Sequence, residues 1–168
     1  NITGIGNTSA LVANKLGKGR MNLQRALNDA AAPSVVFANQ IIEDHNDGAF
    51  VVGDSLFISG LFTNYLAPTT NLVGTIKAVV NGNYLTVVDT TTNIGALNTL
   101  TSVNNNTDAF KFKINAGTPL NTNITFQVTV KDGAYYDKYF FTITVNVDYI
   151  NIAINDVATT ITSKGKIG

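Results

Sequence analysis

The chain has 168 residues, of which 13% are charged, against a usual share of about 25%. Eleven Lys and Arg balance eleven Asp and Glu, which argues against a nucleic-acid binder working through a basic face and against a polybasic membrane-surface segment. Cysteine is absent, so a disulfide framework, a thiolate metal site and a cysteine nucleophile are excluded.

Asn and Thr, 22 of each, do the solubilising that charges usually do. No run of about 18 apolar residues occurs, so no transmembrane helix is expected. The chain opens at Asn1 with neither Met nor a signal peptide, and stops at Lys166-Ile167-Gly168 after a fresh alternating stretch. Both ends are expected to be cuts through a longer polypeptide.

Residues 1–32 differ in character from everything after them. Met21 to Ala32 is rich in good helix formers, and Leu23, Ala26, Leu27 and Ala30 fall on one helical face. Pro33 ends that helix, because it donates no N–H and disfavours helix in the residue before it.

From Ser34 to Tyr149 the apolar period switches from 3.6 to 2. Leu56, Ile58 and Phe62 share one strand face, while Phe57 and Leu61 make the other apolar too, which predicts a central strand. Ile76, Ala78 and Val80 lead into Asn81-Gly82 and then Tyr84 to Val88. Asn-Gly predicts a two-residue type I′ hairpin there, since both central positions of that turn need positive φ. Phe110, Phe112 and Ile114 alternate with Lys111 and Lys113, and Ile124, Phe126, Val128 and Val130 alternate with polar residues. After Asp132-Gly133 the chain returns through Tyr139 to Val147.

Seven or eight such strands, with no helix between them, predict an antiparallel β-sandwich. The expected class is all-β, an immunoglobulin-like (Ig-like) sandwich preceded by one short helix. Its expected core is Phe37, Leu56, Ile58, Phe62, Ile76, Phe112, Phe126, Val128, Phe141 and Ile143. With no Trp and no Cys, it lacks the disulfide-and-tryptophan pin of antibody domains. The expected organisation is 1–32 as the end of one domain, 33–149 as the sandwich and 150–168 as the start of a further β module.

His45, the single histidine, sits in the loop Glu43-Asp44-His45-Asn46-Asp47-Gly48. A catalytic histidine needs a nucleophile and an orienting carboxylate in reach. Asp44 or Asp47 could orient it, but no serine nearby stands in an activated context, so a solvated loop histidine is expected. Asp44, Asn46, Asp47 and Asp54, with Glu43, offer the oxygen ligands that Ca²⁺ prefers. Their spacing is not that of an EF-hand loop, and an ordinary Asx-turn loop is the competing reading. Four N-x-[ST] sequons, at Asn1, Asn7, Asn105 and Asn123, are what chance gives in this composition. Tyr135, Tyr136 and Tyr139 could form an aromatic carbohydrate platform, against packing and cross-strand pairing as the simpler role. Gly17-Lys18-Gly19 before a helix fits neither a Walker loop nor a dinucleotide fingerprint.

The stretch Gly17-Lys18-Gly19-Arg20-Met21-Asn22-Leu23-Gln24-Arg25-Ala26 resembles the C-terminal signature of subtilisin-like serine protease catalytic domains. In that family Gly-x-Gly-x-(aliphatic)-Asn/Asp-Ala-x-x-Ala leads into the domain's last helix. Gly17, Gly19, Asn22 and Ala26 match, with Arg20 inside the motif, while Met21 and Leu23 depart from the commoner residues. The loop Asp44 to Gly48 with Gly53-Asp54, and then Asn64-Tyr65-Leu66-Ala67-Pro68-Thr69-Thr70-Asn71, resemble Ig-like modules that follow such catalytic domains in secreted bacterial proteases. Asp54 stands where Glu is commoner.

The resemblance implies the non-catalytic C-terminal region of an exported bacterial enzyme. It would be secreted or on the cell surface, and its partners would be its own catalytic domain, a following module, and a protein substrate or cell-surface glycan. The catalytic Asp, His and Ser of that family, the serine in a Gly-Thr-Ser-Met-Ala-like motif, match no position here. No catalysis and no cofactor beyond the Ca²⁺ candidate are expected. The competing reading is a surface adhesin or carbohydrate-binding module.

Overall fold

The computed structural model describes residues 32–148. The expected helix over 21–32, but for Ala32, the Gly17–Ala26 motif and the tail from 150 to 168 lie outside the described residues. The strands are β1 (Val35–Glu43), β2 (Ser55–Asn64), β3 (Leu72–Val80), β4 (Leu85–Asp89), β5 (Thr91–Gly95), β6 (Thr101–Asn104), β7 (Phe110–Ile114), β8 (Thr122–Asp132) and β9 (Tyr135–Val145). They form two antiparallel sheets, one in the order β1-β2-β7-β4 with β6 also on β2, the other β5-β3-β8-β9. The described domain is an Ig-like β-sandwich, with nine strands rather than seven or eight. The excess comes from β5 and β6, two short strands in a Thr- and Asn-rich stretch with little apolar alternation.

The core lies between the sheets. Phe37, Leu56, Ile58, Phe62, Ile76, Phe112, Phe126 and Val128 are buried as the alternation requires. Phe141 and Ile143 are only partly buried, because β9 is the edge of its sheet and its inward side chains sit at the margin of the core. Five phenylalanine rings run across both sheets, with neighbouring centroids 4.8 Å (Phe37–Phe62), 6.5 Å (Phe37–Phe141), 5.4 Å (Phe141–Phe126) and 5.1 Å (Phe126–Phe112) apart. These tilted and stacked contacts add to area burial and replace the disulfide pin that the composition forbids.

Strand β2 is central, as its two apolar faces predict, with β1 on one side and β7 and β6 on the other. β7 pairs with Ser55–Ile58 and β6 with Leu61–Asn64, so Gly60 faces the break between them. Asn105 fills that break: its Oδ1 accepts the Gly60 N–H at 2.9 Å, and its Nδ2 donates to the Asp108 carbonyl at 3.3 Å. A β-carbon on Gly60 would come within 2.5 Å of the Phe37 ring, so only glycine fits.

Asn81-Gly82 does not make the expected hairpin. Asn81 takes φ 58°, but a single 3₁₀ turn over Gly82–Tyr84 follows. β3 and β4 belong to opposite sheets, so the segment is a crossover between layers. Asn81 Nδ2 anchors it to the Asn123 carbonyl at 2.7 Å. The hairpin after Asp132 is as expected, with Asp132 paired to Tyr135 across a two-residue turn.

Two tyrosines join the sheets at one side. Tyr135 Oη accepts the Val35 N–H at 2.8 Å, and Tyr139 Oη donates to the Val35 carbonyl at 2.6 Å. Burial pushes the Tyr139 hydroxyl up to about 12, helped by Tyr135 beside it, and burial also raises Tyr135 against the opposing Val35 N–H.

Candidate functional site

The break in the β6–β7 side of the sheet creates a cleft on its outer face. β1, β2 and β7 bring Glu43, Phe57 and Lys111 into register as direct cross-strand neighbours. The turn Asn106–Asp108 then rises beside them as a wall, with Asn106, Thr107 and Ala109 lining the cleft. The open cleft has a volume of about 160 Å³, with Ser59 also lining it.

Phe57 is the floor, and both ring neighbours are cationic or can be. His45, in the left-handed region at φ 58°, stacks on it with centroids 4.2 Å apart and an interplanar angle of 25°. Lys111 Nζ lies 5.7 Å from the ring centroid, within cation–π range. His45 Nε2 lies 3.3 Å from Glu43 Oε2. The two side chains are 60% and 58% exposed, so the pair contributes little to stability.

A serine, a histidine and a carboxylate thus line one cleft, a grouping the sequence did not reveal. A working nucleophile–base pair needs hydrogen-bond reach between the two. Among the described residues no hydrogen bond joins Ser59 to His45, whose Nε2 faces Glu43 instead. Strand parity was the available signal, since Ser59 shares a face with Phe57 and Leu61. Asn106 and Thr107 gave none, being two more polar residues in a polar stretch.

The loop carboxylates are turned onto backbone N–H groups rather than toward one point. Asp44 Oδ1 accepts from Asn46 N at 3.0 Å and Oδ2 from Gly48 N at 3.0 Å, while Asp47 Oδ1 accepts from Ala49 N at 2.9 Å. Asp54 Oδ2 accepts from Val51 N at 2.8 Å. The Asn46 N–H foremost, with Gly48, holds the Asp44 carboxyl below its ordinary range. Among the described residues no group of three or more His, Cys, Asp or Glu is placed to hold a metal ion. The arrangement is that of Asx turns.

The three tyrosines do not make one platform. Tyr135 and Tyr139 point inward to Val35, while Tyr136 faces outward with Phe140, the two being 66% and 61% exposed. The Asn64–Asn71 segment is organised by Asn64, fully buried, whose Oδ1 accepts from Ser34 N at 3.1 Å and Leu66 N at 3.3 Å. Its Nδ2 donates to the carbonyls of Ala67 at 2.8 Å, Leu97 at 3.1 Å and Leu66 at 3.4 Å. Asn64 opens a stretch that the resemblance to Ig-like modules singled out, but nothing in the residue pattern marked its amide as buried among 22 Asn.

No family model and no curated protein matches the chain. The solved structures similar to it in fold include the following two. One is a Niemann-Pick type C2 protein from Japanese carpenter ant, at 11% identity and TM-score 0.40, covering 65% of this chain and 90% of that one. The other is Spo0M, a sporulation control protein from Bacillus subtilis, at 12% identity and TM-score 0.41, covering 70% of this chain and 50% of that one. Likenesses at this level concern the fold and bring no function with them.

Proposed function

We propose that the chain supplies a non-catalytic Ig-like accessory module to an exported subtilisin-like serine endopeptidase, and that the sandwich acts as a rigid spacer with contact surfaces of its own. The observation that carries the spacer role is where the chain enters and leaves. Entry at Val35 is fixed beside Tyr135 and Tyr139, at the start of β9. Exit at Asn146 is fixed at the far end of β9, where its N–H donates to the Phe50 carbonyl and its carbonyl accepts from Asn121 N. The strand rise places these points about 30 Å apart. Among the described residues the chain thus enters and leaves the sandwich at opposite ends. The parent enzyme class rests on the Gly17–Ala26 resemblance.

Two experiments test this. The coding sequence upstream should contain a Gly-Thr-Ser-x-Ala-like motif, and a parent without one would overturn the protease assignment. The purified chain should not react with a fluorophosphonate serine probe. Labelling abolished by Ser59→Ala would make the cleft catalytic and contradict the accessory role.

A further inference from the structure

The outer face of the four-stranded sheet has an ordered charge pattern that its strand register reveals. Three successive rungs cross β9, β8 and β3: Tyr136–Lys131–Val73, Lys138–Thr129–Thr75 and Phe140–Gln127–Lys77. Each rung carries one lysine, and none of the nine positions is acidic. Tyr136 and Phe140 flank Lys138 along β9 on the same face, each more than half exposed. Residues 32–148 hold five lysines, no arginine and nine acidic residues, so this face runs against the sign of the domain that bears it. The opposite sheet's outer face instead mixes Glu43, Lys111 and Asp89 along one rung.

We propose that this face binds an acidic polysaccharide, a linear glycan carrying regularly repeated carboxylate or sulfate groups. Successive rungs repeat about every 6.8 Å along the strands, and their lysines fall on β8, β9 and β3 in turn, so positive charge is spread along and across the face, where an extended polyanion can meet it. Exposed aromatic rings offer flat apolar faces for the C–H surfaces of sugar rings. Thr75, Thr129 and Gln127 between them present hydroxyl and amide groups to sugar hydroxyls, with Gln127 Nε2 already oriented toward Thr129 Oγ1 at 3.1 Å. The inference rests on the accessory-module reading and names the ligand of its contact surface.

The test is binding of the full 168-residue chain to polygalacturonate, with neutral dextran, poly-glutamate and phosphatidylglycerol vesicles as comparisons. Polygalacturonate should bind best, and the binding should weaken steeply as salt shortens the Debye length. Lys138→Gln and Phe140→Ala should each weaken it by about tenfold, the scale of one central contact residue. Both positions are exposed, so the fold should survive, and an unchanged melting temperature verifies that. Lys113→Gln, on the other sheet, is the control and should leave binding unchanged.

No binding, equal binding to dextran, poly-glutamate or vesicles, or variants that bind as the parent does would each overturn the proposal. A narrow distribution of distances between spin labels placed at Ala32→Cys and Asp148→Cys, the two ends of the sandwich, together with failed glycan binding would sink this inference alone. Glycan binding together with a broad distribution of those distances would sink the spacer reading alone.

Discussion

Replacing Asn64 by alanine or by aspartate separates the hydrogen-bonding role of that amide from its bulk. Three of its bonds have good geometry, to Ser34 N, Ala67 O and Leu97 O at 3.1, 2.8 and 3.1 Å. At about 1 kcal/mol net each, Asn64→Ala should cost about 3 kcal/mol. For a domain of this size that is a fall of about 10 °C in melting temperature. Asn64→Asp keeps the shape but sets a carboxylate oxygen against the three carbonyls that the amide N–H groups now serve. The introduced carboxyl is therefore held protonated in the fold, above its unfolded value of about 3.9.

A group whose folded pKa is raised supports the fold below its unfolded pKa and loses that support as pH rises through the folded one. Asn64→Asp should thus be the less stable variant at pH 7 and recover relative to Asn64→Ala as pH falls toward 4. Urea melts of both variants and the parent from pH 4 to pH 8 measure this. Equal stabilities with parallel pH profiles would refute the assignment of Asn64 as the hub of this turn.

Gly60→Ala should cost about 2 kcal/mol, because the Phe37 ring it meets at 2.5 Å is itself held by Phe62; a denaturant midpoint equal to the parent's would contradict this close approach. Thr92→Val should raise stability by about 1 kcal/mol in the same assay. Thr92 Oγ1 is the one buried side-chain polar atom without a partner among the described residues, and a loss of stability would show that it has one. The Tyr139 contact should be intact below pH 10 and lost as pH climbs toward about 12, where the hydroxyl can no longer donate to Val35. Tyr139→Phe should flatten that alkaline loss in thermal melts, and an unchanged profile would remove the inter-sheet role. Adding Ca²⁺ or a chelator should leave the melting temperature unmoved, since Asp44, Asp47 and Asp54 each serve backbone N–H groups; a rise of several degrees with Ca²⁺ would assign the loop to the metal.

Where a residue's environment follows from alternation, the sequence was readable: Phe110, Phe112 and Ile114 point inward and Lys111 and Lys113 do not, because period 2 is a property of the strand itself. The same rule could have separated Tyr135 and Tyr139, which share the parity of Phe141 and Ile143, from Tyr136, which shares that of Phe140. Pairing partners were harder to read. Asn81-Gly82 has hairpin chemistry, and Asn81 does adopt positive φ, but the sheet that β3 joins is decided by contacts with β8 far along the chain. The buried amide roles of Asn64 and Asn105 were invisible for a compositional reason. In a chain with 22 Asn, the few whose amides plug backbone gaps look like those that solubilise turns. The cleft of Glu43, His45, Ser59 and Lys111 likewise arises from a strand break set by Asn105 and the turn after it.

The spacing between chain entry and exit distinguishes a rigid spacer from a flexible tether. The sequence has no cysteine, so Ala32→Cys with Asp148→Cys gives two unique spin-labelling sites in the full chain. Pulsed dipolar spectroscopy should return one narrow distribution centred at about 30 Å or somewhat beyond, as the strand rise requires. A broad distribution, or one centred well below that distance, would contradict a rigid spacer with opposite ends.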